Sequence, residues 1–412
     1  MTAKFDFSNS FRADVPPAAT AWRAFPLHNF VGGHNAPESI ATDDLVAAAS
    51  RVLTREAPSL AMYSGYSGPQ GYLPLREFLA AKLKRQADIV CSTDEILITS
   101  GSLQAINLVN TLLLAPGDTI VVEQSNYGGC LTRWGKLGVN MVPVNVDAEG
   151  MCMSDLANVL TNLKTEGVRP KFIYTIPTIQ NPTATILPLE RRHEMLRLAE
   201  QHEVAIFEDE CYSDLVWSGE RPPALFALDT TGRVIFTGSF SKSIAPALRV
   251  GYLVARWPFL SRALAAKTDA GSGLIEQMIL AEYCPTHFDA HVDKLNRLLQ
   301  QKLDVLIESL NENFGTSVEF TRPPGGIFLW LKLPDVVDTT RLTTVAASQG
   351  VAVNPGVEWS QDHPEGNRHI RVCYASGTHD EIRSGIKALA DICHAEFGVP
   401  VRSANRTRTN PH

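Results

Sequence analysis

Residues 237–255 read TGSFSKSIAPALRVGYLVA. A β-branched run ends in Ser239, Phe240, Ser241 and Lys242, and Arg249 follows before the next strand-like run, GYLVA. A lone lysine is ordinarily a solvated surface charge. This one sits between two hydroxyls and ahead of an arginine, in a run too apolar for a solvated loop. Burial of such a lysine lowers its pKa, and the neutral amine that results can attack an aldehyde.

Outward from this stretch, one rhythm repeats from residue 94 on: a short β-branched run, a turn, then a longer helical pattern. The runs are EILIT (95–99), TIVVE (119–123), VNMVPV (139–144), KFIYTIP (171–177), VAIFED (204–209), RVIFTG (233–238) and GYLVA (251–255). Strands alternating with helices predict an α/β fold with a mainly parallel sheet. In such sheets ligands bind beyond the carboxyl ends of the strands.

Four further segments place polar groups at those ends. VAIFEDECYSDL puts Asp209 at the end of a run and Tyr212 three residues on. The plain alternative for Asp209 is a helix cap; the chemical one is a carboxylate that pairs with a protonated pyridine nitrogen and keeps the ring able to accept electrons. YTIPTIQNPTATILPLERR sets Asn181 before a proline, a pattern also common in simple turns. ILITSGSLQAINLVNTLLL runs through Ser100, Gly101 and Ser102 into an apolar helix, whose free amides and positive dipole end suit a phosphate, although many such turns bind nothing. In VVEQSNYGG, Tyr127 could present an aromatic face to a ring or be a half-buried loop residue.

Composition narrows the setting. The chain has 412 residues, 44% of them apolar, which is enough for two lobes. A formal charge of -7 and the absence of a basic run argue against a nucleic-acid partner. No stretch reads as a signal or membrane span, so the cytoplasm is the expected location and no membrane partner is expected. The seven cysteines form no CxxC pair and no metal-ligand spacing, and read as reduced packing thiols with no metal site.

The organisation expected is an N-terminal arm over 1–45, a large domain over 46–298, a smaller α+β domain over 299–398 and a disordered tail over 399–412. A helix near 300–315 leads into the smaller lobe, to which the arm also belongs, and the textures TRPPGGIFLWLKLP and RHIRVCYASG follow.

Together these segments resemble the class I and II aminotransferases of the fold type I superfamily that uses pyridoxal 5'-phosphate (PLP), nearest the branch of kynurenine/2-aminoadipate and multi-substrate aminotransferases. The resemblance covers residues 30–395. It implies that Lys242 in SFSK is the Schiff-base lysine and proton carrier and that Asp209 is the partner of the pyridine nitrogen. Asn181 and Tyr212 become donors to the ring oxygen, and Tyr127 the stacked aromatic. Ser102, the Leu103 amide, Ser239, Ser241 and Arg249 become the phosphate cup. Tyr66 in GYSGPQGY would reach the phosphate of a partner subunit, which implies a homodimer with shared sites. Arg371 in RHIRVCYA would grip the substrate's α-carboxylate, with Asn181 and Gly33 beside it; as a plain strand residue it would instead pair with a nearby acid.

The activity implied is transfer of an amino group from an L-amino acid to a 2-oxo acid. A second reading keeps PLP but ends in β- or γ-elimination, replacement or cyclisation, for example on S-adenosylmethionine. A third, an effector-sensing module of a transcription regulator, calls for a basic DNA-binding domain ahead of the fold, and no basic run stands there. Departures from the family pattern are Ala184 where Gly is usual, which implies a reshaped loop beside Asn181, Leu103 at a polar position, and a loosely matching arm in which Arg23 is a weak candidate for substrate contact.

Overall fold

The computed structural model describes residues 5–401 except 9, 13, 14, 17, 20 and 23, so Arg23 and residues 402–412 lie outside the described residues; the expected tail starts too early at 399, because Val399 is buried in the core of the smaller lobe and the Pro400 carbonyl lies 2.8 Å from His394 Nδ1. The seven runs named above form a single sheet, in the order Ile96–Thr99, Gly251–Val254, Val234–Ser239, Ala205–Asp209, Phe172–Thr175, Thr119–Glu123, Asn140–Val144. All strands but the edge strand Asn140–Val144 are buried along their length, save Ala205 at the start of Ala205–Asp209, which is half-buried. That is the burial expected of strands covered by helices on both faces, and it explains their continuous Val, Ile and Phe content.

Only Gly251–Val254 runs against its two neighbours. This reversal brings Gly251 opposite Ser239 and Thr99. A Cβ at Gly251 would lie 2.6 Å from the Ser102 nitrogen, so the bare backbone lets the strand start against the head of the helix Ser102–Leu113.

The smaller lobe is a three-stranded sheet, Phe328–Lys332, His369–Cys373 and Asn354–Pro355, antiparallel throughout. Helices Thr339–Ser348 and His379–Phe397 cover it. Asp338 caps the first, and Thr378 with Glu381 forms a capping box on the second. The N-terminal arm joins this lobe: His28–Asn29 pairs in parallel with Val351–Ala352, and Phe30 is buried in the lobe's core.

One helix serves both lobes. The sequence pattern shows only its last part, near 300–315, whereas the helix spans Leu274–Asn313 and carries Pro285 within it. At 1.5 Å per residue it is about 60 Å long. Met278, Tyr283, Phe288 and Val292 pack into the core beneath the large sheet, and from Leu295 onward Leu299, Leu303 and Leu306 pack into the small-lobe core. An interior proline ordinarily signals a helix end, which is why the first part is hard to read from sequence.

The lobes also meet through backbone. Gly326 N–H donates to the Leu215 carbonyl at 2.8 Å, Trp217 N–H donates to Pro324 at 3.0 Å, and Val216 bridges Gly325. A Cβ on Gly325 would collide with the Leu215 carbonyl. Gly325→Ala is therefore expected to destabilise the protein by about 1–3 kcal/mol, measured by denaturant unfolding, with an unchanged midpoint counting against this packing.

Candidate active site

The carboxyl ends of the strands open into a cavity of about 270 Å³. Lys242 enters it from the turn after Val234–Ser239. Ser239 Oγ accepts from the Ser241 N–H at 3.0 Å and donates to Ser241 Oγ at 2.9 Å, which tightens that turn. Asn35 donates to the carbonyls of Lys242 and Ile244 at 3.2 and 3.3 Å, fixing the turn from the arm side. The Lys242 amine donates to the Gly33 carbonyl at 2.8 Å. Burial lowers its pKa from the ordinary lysine value, with neighbouring Arg371 and Arg249 acting in the same direction.

Beside the lysine lies a cradle of donors. Gly101, at φ 76°, ends the strand turn, and no side chain caps the helix that begins at Ser102. Ser102 and Leu103 line the cavity there, with Ser239, Ser241 and Arg249 opposite. Arg249 holds a left-handed backbone (φ 54°), and its guanidinium donates to Ser100 and Pro246 carbonyls. Gly101 holds φ 76° and ψ 167°, a backbone region open essentially to glycine alone, and a Cβ there would also push the Arg249 guanidinium aside.

Asp209 is buried at the end of its strand. Tyr174 Oη donates to its Oδ2 at 2.7 Å and the Cys211 N–H donates to Oδ1 at 3.2 Å. Burial raises the Asp209 pKa, and these donors work against the rise. Tyr212 and Asn181 stand alongside, the amide donating to Tyr212 Oη at 3.4 Å. Burial pushes the Tyr212 phenol well up, keeping it a donor. Tyr127 begins the helix Gly128–Lys136, its ring 5.8 Å from Trp359 and its pKa pushed up by burial to about 12.

Arg371 reaches the cavity from the small lobe. It donates to the Gly32 carbonyl at 2.6 Å, Asn354 Oδ1 at 3.3 Å and Asn181 Oδ1 at 3.4 Å. Its guanidinium lies 4.1 Å over Trp359 and 5.2 Å over Phe328, and its buried Nε has no partner. No carboxylate pairs with it among the described residues, which sets aside the plain structural ion pair.

Among the described residues, every one proposed from sequence for this site lines the one cavity except Tyr66, which is 78% exposed on the turn Gly65–Ser67; Arg23 lies outside the described residues. Ala184 itself carries the left-handed backbone (φ 58°), as does buried Ile179 (φ 55°), and Asn181 between them still faces the cavity.

Sequence reasoning missed Tyr174, Cys211, Asn354 and Trp359. Tyr174 pairs with Phe207 across the sheet, which sets its hydroxyl diagonally against Asp209. That relation is visible only once the strand register is known. Trp359 arrives on the short 3-10 turn Gly356–Trp359, and its carbonyl accepts from the Asn126 N–H at 2.8 Å, a contact no sequence pattern signals.

Residues 36–389 match the family described as aminotransferase class I and II, and the chain belongs to it. It is 33% identical over 372 residues to an aromatic-amino-acid aminotransferase of Thermococcus litoralis, spanning 90% of this chain and 88% of that protein. The crystal structure of a multiple substrate aminotransferase from Thermococcus profundus superposes with a TM-score of 0.87 at 29% identity, covering 96% of this chain and all of that one. An alpha-aminoadipate aminotransferase of Thermus thermophilus, solved with N-(5'-phosphopyridoxyl)-L-leucine, gives 0.82 at 30% identity, covering 90% and 92%.

The protein is a PLP-dependent aminotransferase of fold type I, and the elimination and replacement reading is not favoured by these likenesses. The groups present suit that cofactor: a buried carboxylate for a cationic ring nitrogen, an uncapped helix head with three hydroxyls and an arginine for a phosphate, and a desolvated amine for an aldehyde. Among the described residues, no group of His, Cys, Asp or Glu could hold a metal ion.

Tyr174→Phe removes the shortest hydrogen bond to Asp209. Weakening of PLP affinity by about tenfold or more is expected, read by equilibrium titration of the apoprotein. An unchanged affinity would show that Tyr174 does not support Asp209.

Proposed function

We propose that Lys242 is the residue to which PLP is covalently joined, and that the enzyme moves the amino group of an L-amino acid to a 2-oxo acid. The observation that carries this reading is the convergence of Lys242, Asp209 and Arg371 on one small cavity. PLP supplies an aldehyde that condenses with amines and a pyridinium ring that takes up electrons from the substrate's α-carbon.

The residues then divide the work. Asp209 pairs with the protonated ring nitrogen, and that cation offsets the burial of its carboxylate. Asn181 and Tyr212 donate to the ring oxygen, and Tyr127 covers the ring face. Ser102, the Leu103 amide, Ser239, Ser241 and Arg249 hold the phosphate at the helix head. Arg371 takes the substrate's α-carboxylate in place of the Gly32 carbonyl, while Gly33 borders the same space. This orients the α-hydrogen toward the Lys242 amine. That amine, neutral at lower pH than an ordinary lysine, would take the α-proton and deliver it across the substrate nitrogen to the carbon supplied by the cofactor's aldehyde, a role that typically contributes roughly 100- to 10,000-fold.

Tyr66 serves a second copy of the chain in this reading, because its exposed ring is set apart from its own cavity. Exposed Met62, Tyr63 and Leu73 belong to the same part of the chain, which supports a homodimer with shared sites. All seven cysteines are free, which supports a reducing compartment such as the cytoplasm.

Borohydride reduction of the PLP-loaded protein is expected to fix the cofactor on the peptide containing Lys242, as read by mass spectrometry; labelling elsewhere would contradict the assignment. Arg371→Ala is expected to lower kcat/KM by about 10- to 150-fold through loss of a charge-assisted contact, with PLP content unchanged. Full activity in that variant would remove Arg371 from substrate binding.

A further inference from the structure

Glu123 takes no part in the chemistry above, yet it is buried to 2% exposure at the end of the strand Thr119–Glu123. Four donors converge on its carboxylate. Oε1 accepts from Thr175 Oγ1 at 2.7 Å and from the Ile176 N–H at 3.3 Å. Oε2 accepts from Asn126 Nδ2 and from Gln180 Nε2, both at 2.9 Å.

Each of the last two donors belongs to a loop of the site. Asn126 turns its other amide atom to the Tyr127 N–H, accepting at 2.6 Å. Gln180 also donates to the Ser125 carbonyl at 2.6 Å, and its oxygen accepts from the Thr183 N–H and hydroxyl at 2.8 and 2.7 Å. The Tyr127 and Asn181 loops leave neighbouring strands whose backbone ladder pairs Val121 with Ile173 and Val122 with Tyr174. Just past those pairs, the carboxylate continues the connection.

We propose that Glu123 is a positioning residue, whose carboxylate sets the Tyr127 loop and the Asn181 loop in one fixed relation across the cofactor cavity. The inference rests on the reading of Tyr127 and Asn181 as the groups that meet the ring face and the ring oxygen. A carboxylate is the side chain the place requires. It is acceptor-only, with about four lone-pair sites for the four donors, whereas a glutamine would turn an NH₂ against at least one of them. Burial pushes the Glu123 pKa up to about 7, and the hydrogen bonds from Gln180, Thr175 and Ile176 hold it down against that rise.

The test compares wild type with Glu123→Gln, Asn126→Ala, Gln180→Ala and the Asn126→Ala/Gln180→Ala double variant. Three quantities are measured: the melting temperature of the apoprotein, the PLP dissociation constant, and the pH midpoint of the visible absorption band of bound cofactor. Well below its melting temperature, Glu123→Gln is expected to bind PLP about tenfold or more weakly and to shift the pH midpoint upward, since the ring oxygen loses a well-placed donor. A lowered melting temperature with unchanged dissociation constant and midpoint would overturn the proposal, because a merely structural role moves only the first.

Should Glu123→Gln fail to fold, the double variant decides. Loops coupled through one carboxylate give a double effect on PLP binding that departs from the product of the single effects by about threefold or more; a simple product would overturn the proposal. A wild-type protein with no visible band in excess PLP would strike the assignment of the cavity itself, an outcome separate from the failure of Glu123 alone.

Discussion

A buried carboxylate at a strand end is the constraint on which the site depends. Asp209 accepts hydrogen bonds from the Tyr174 hydroxyl and from the Cys211 amide and thiol, fewer than the roughly four sites an ionised carboxylate has to fill. Burial of a charge is costly unless it is paired, so the remaining face of Asp209 requires a cation. The cavity it faces also holds Lys242, whose own charge burial disfavours. The two groups are thus poised for a ligand that brings a positive ring nitrogen to one and an electrophilic carbon to the other, and PLP is such a ligand.

The second lobe and the arm add what the sheet lacks. Arg371 comes from the small lobe, and the Gly32 and Gly33 carbonyls come from the arm. These pieces stay in register because the arm pairs with Val351–Ala352 and because one helix is packed into both cores. In the proposed reading, the groups that would meet the substrate come from elements far apart in sequence, while those that would hold the cofactor stand at strand ends that follow one another along the chain.

That difference explains what could be read in advance. The seven strands of the large sheet announce themselves by β-branched runs, and the residues at their ends, Asp209, Lys242 and Ser102, inherit their positions from them. Arg371 was found through its motif, and the structure sets its guanidinium in the cavity. What escaped was whatever depends on register or on distant pairing. Tyr174 is indistinguishable from a core aromatic until its strand is aligned with the Asp209 strand. Glu123 looks like the polar end of a strand until Asn126 and Gln180 are seen to converge on it. Trp359 ends a single 3-10 turn, Gly356–Trp359, too short to show periodicity, and Pro285 masks the first part of the long helix. Ala184 shows the reverse case: its place in the sequence suggested a turn that wants glycine, and the backbone is indeed left-handed, carried by alanine.

The most direct test of the account is the half-reaction. Purified PLP-loaded enzyme is mixed with an amino-acid panel in the absence of any 2-oxo acid, and the bound cofactor, keto acid and ammonia are quantified. The account predicts that at least one amino acid converts bound PLP to pyridoxamine phosphate with one equivalent of keto acid and no ammonia, and that Lys242→Ala loses this conversion. Release of ammonia or of a side-chain fragment with the cofactor left as PLP would contradict it, as would conversion at the wild-type rate in the Lys242 variant.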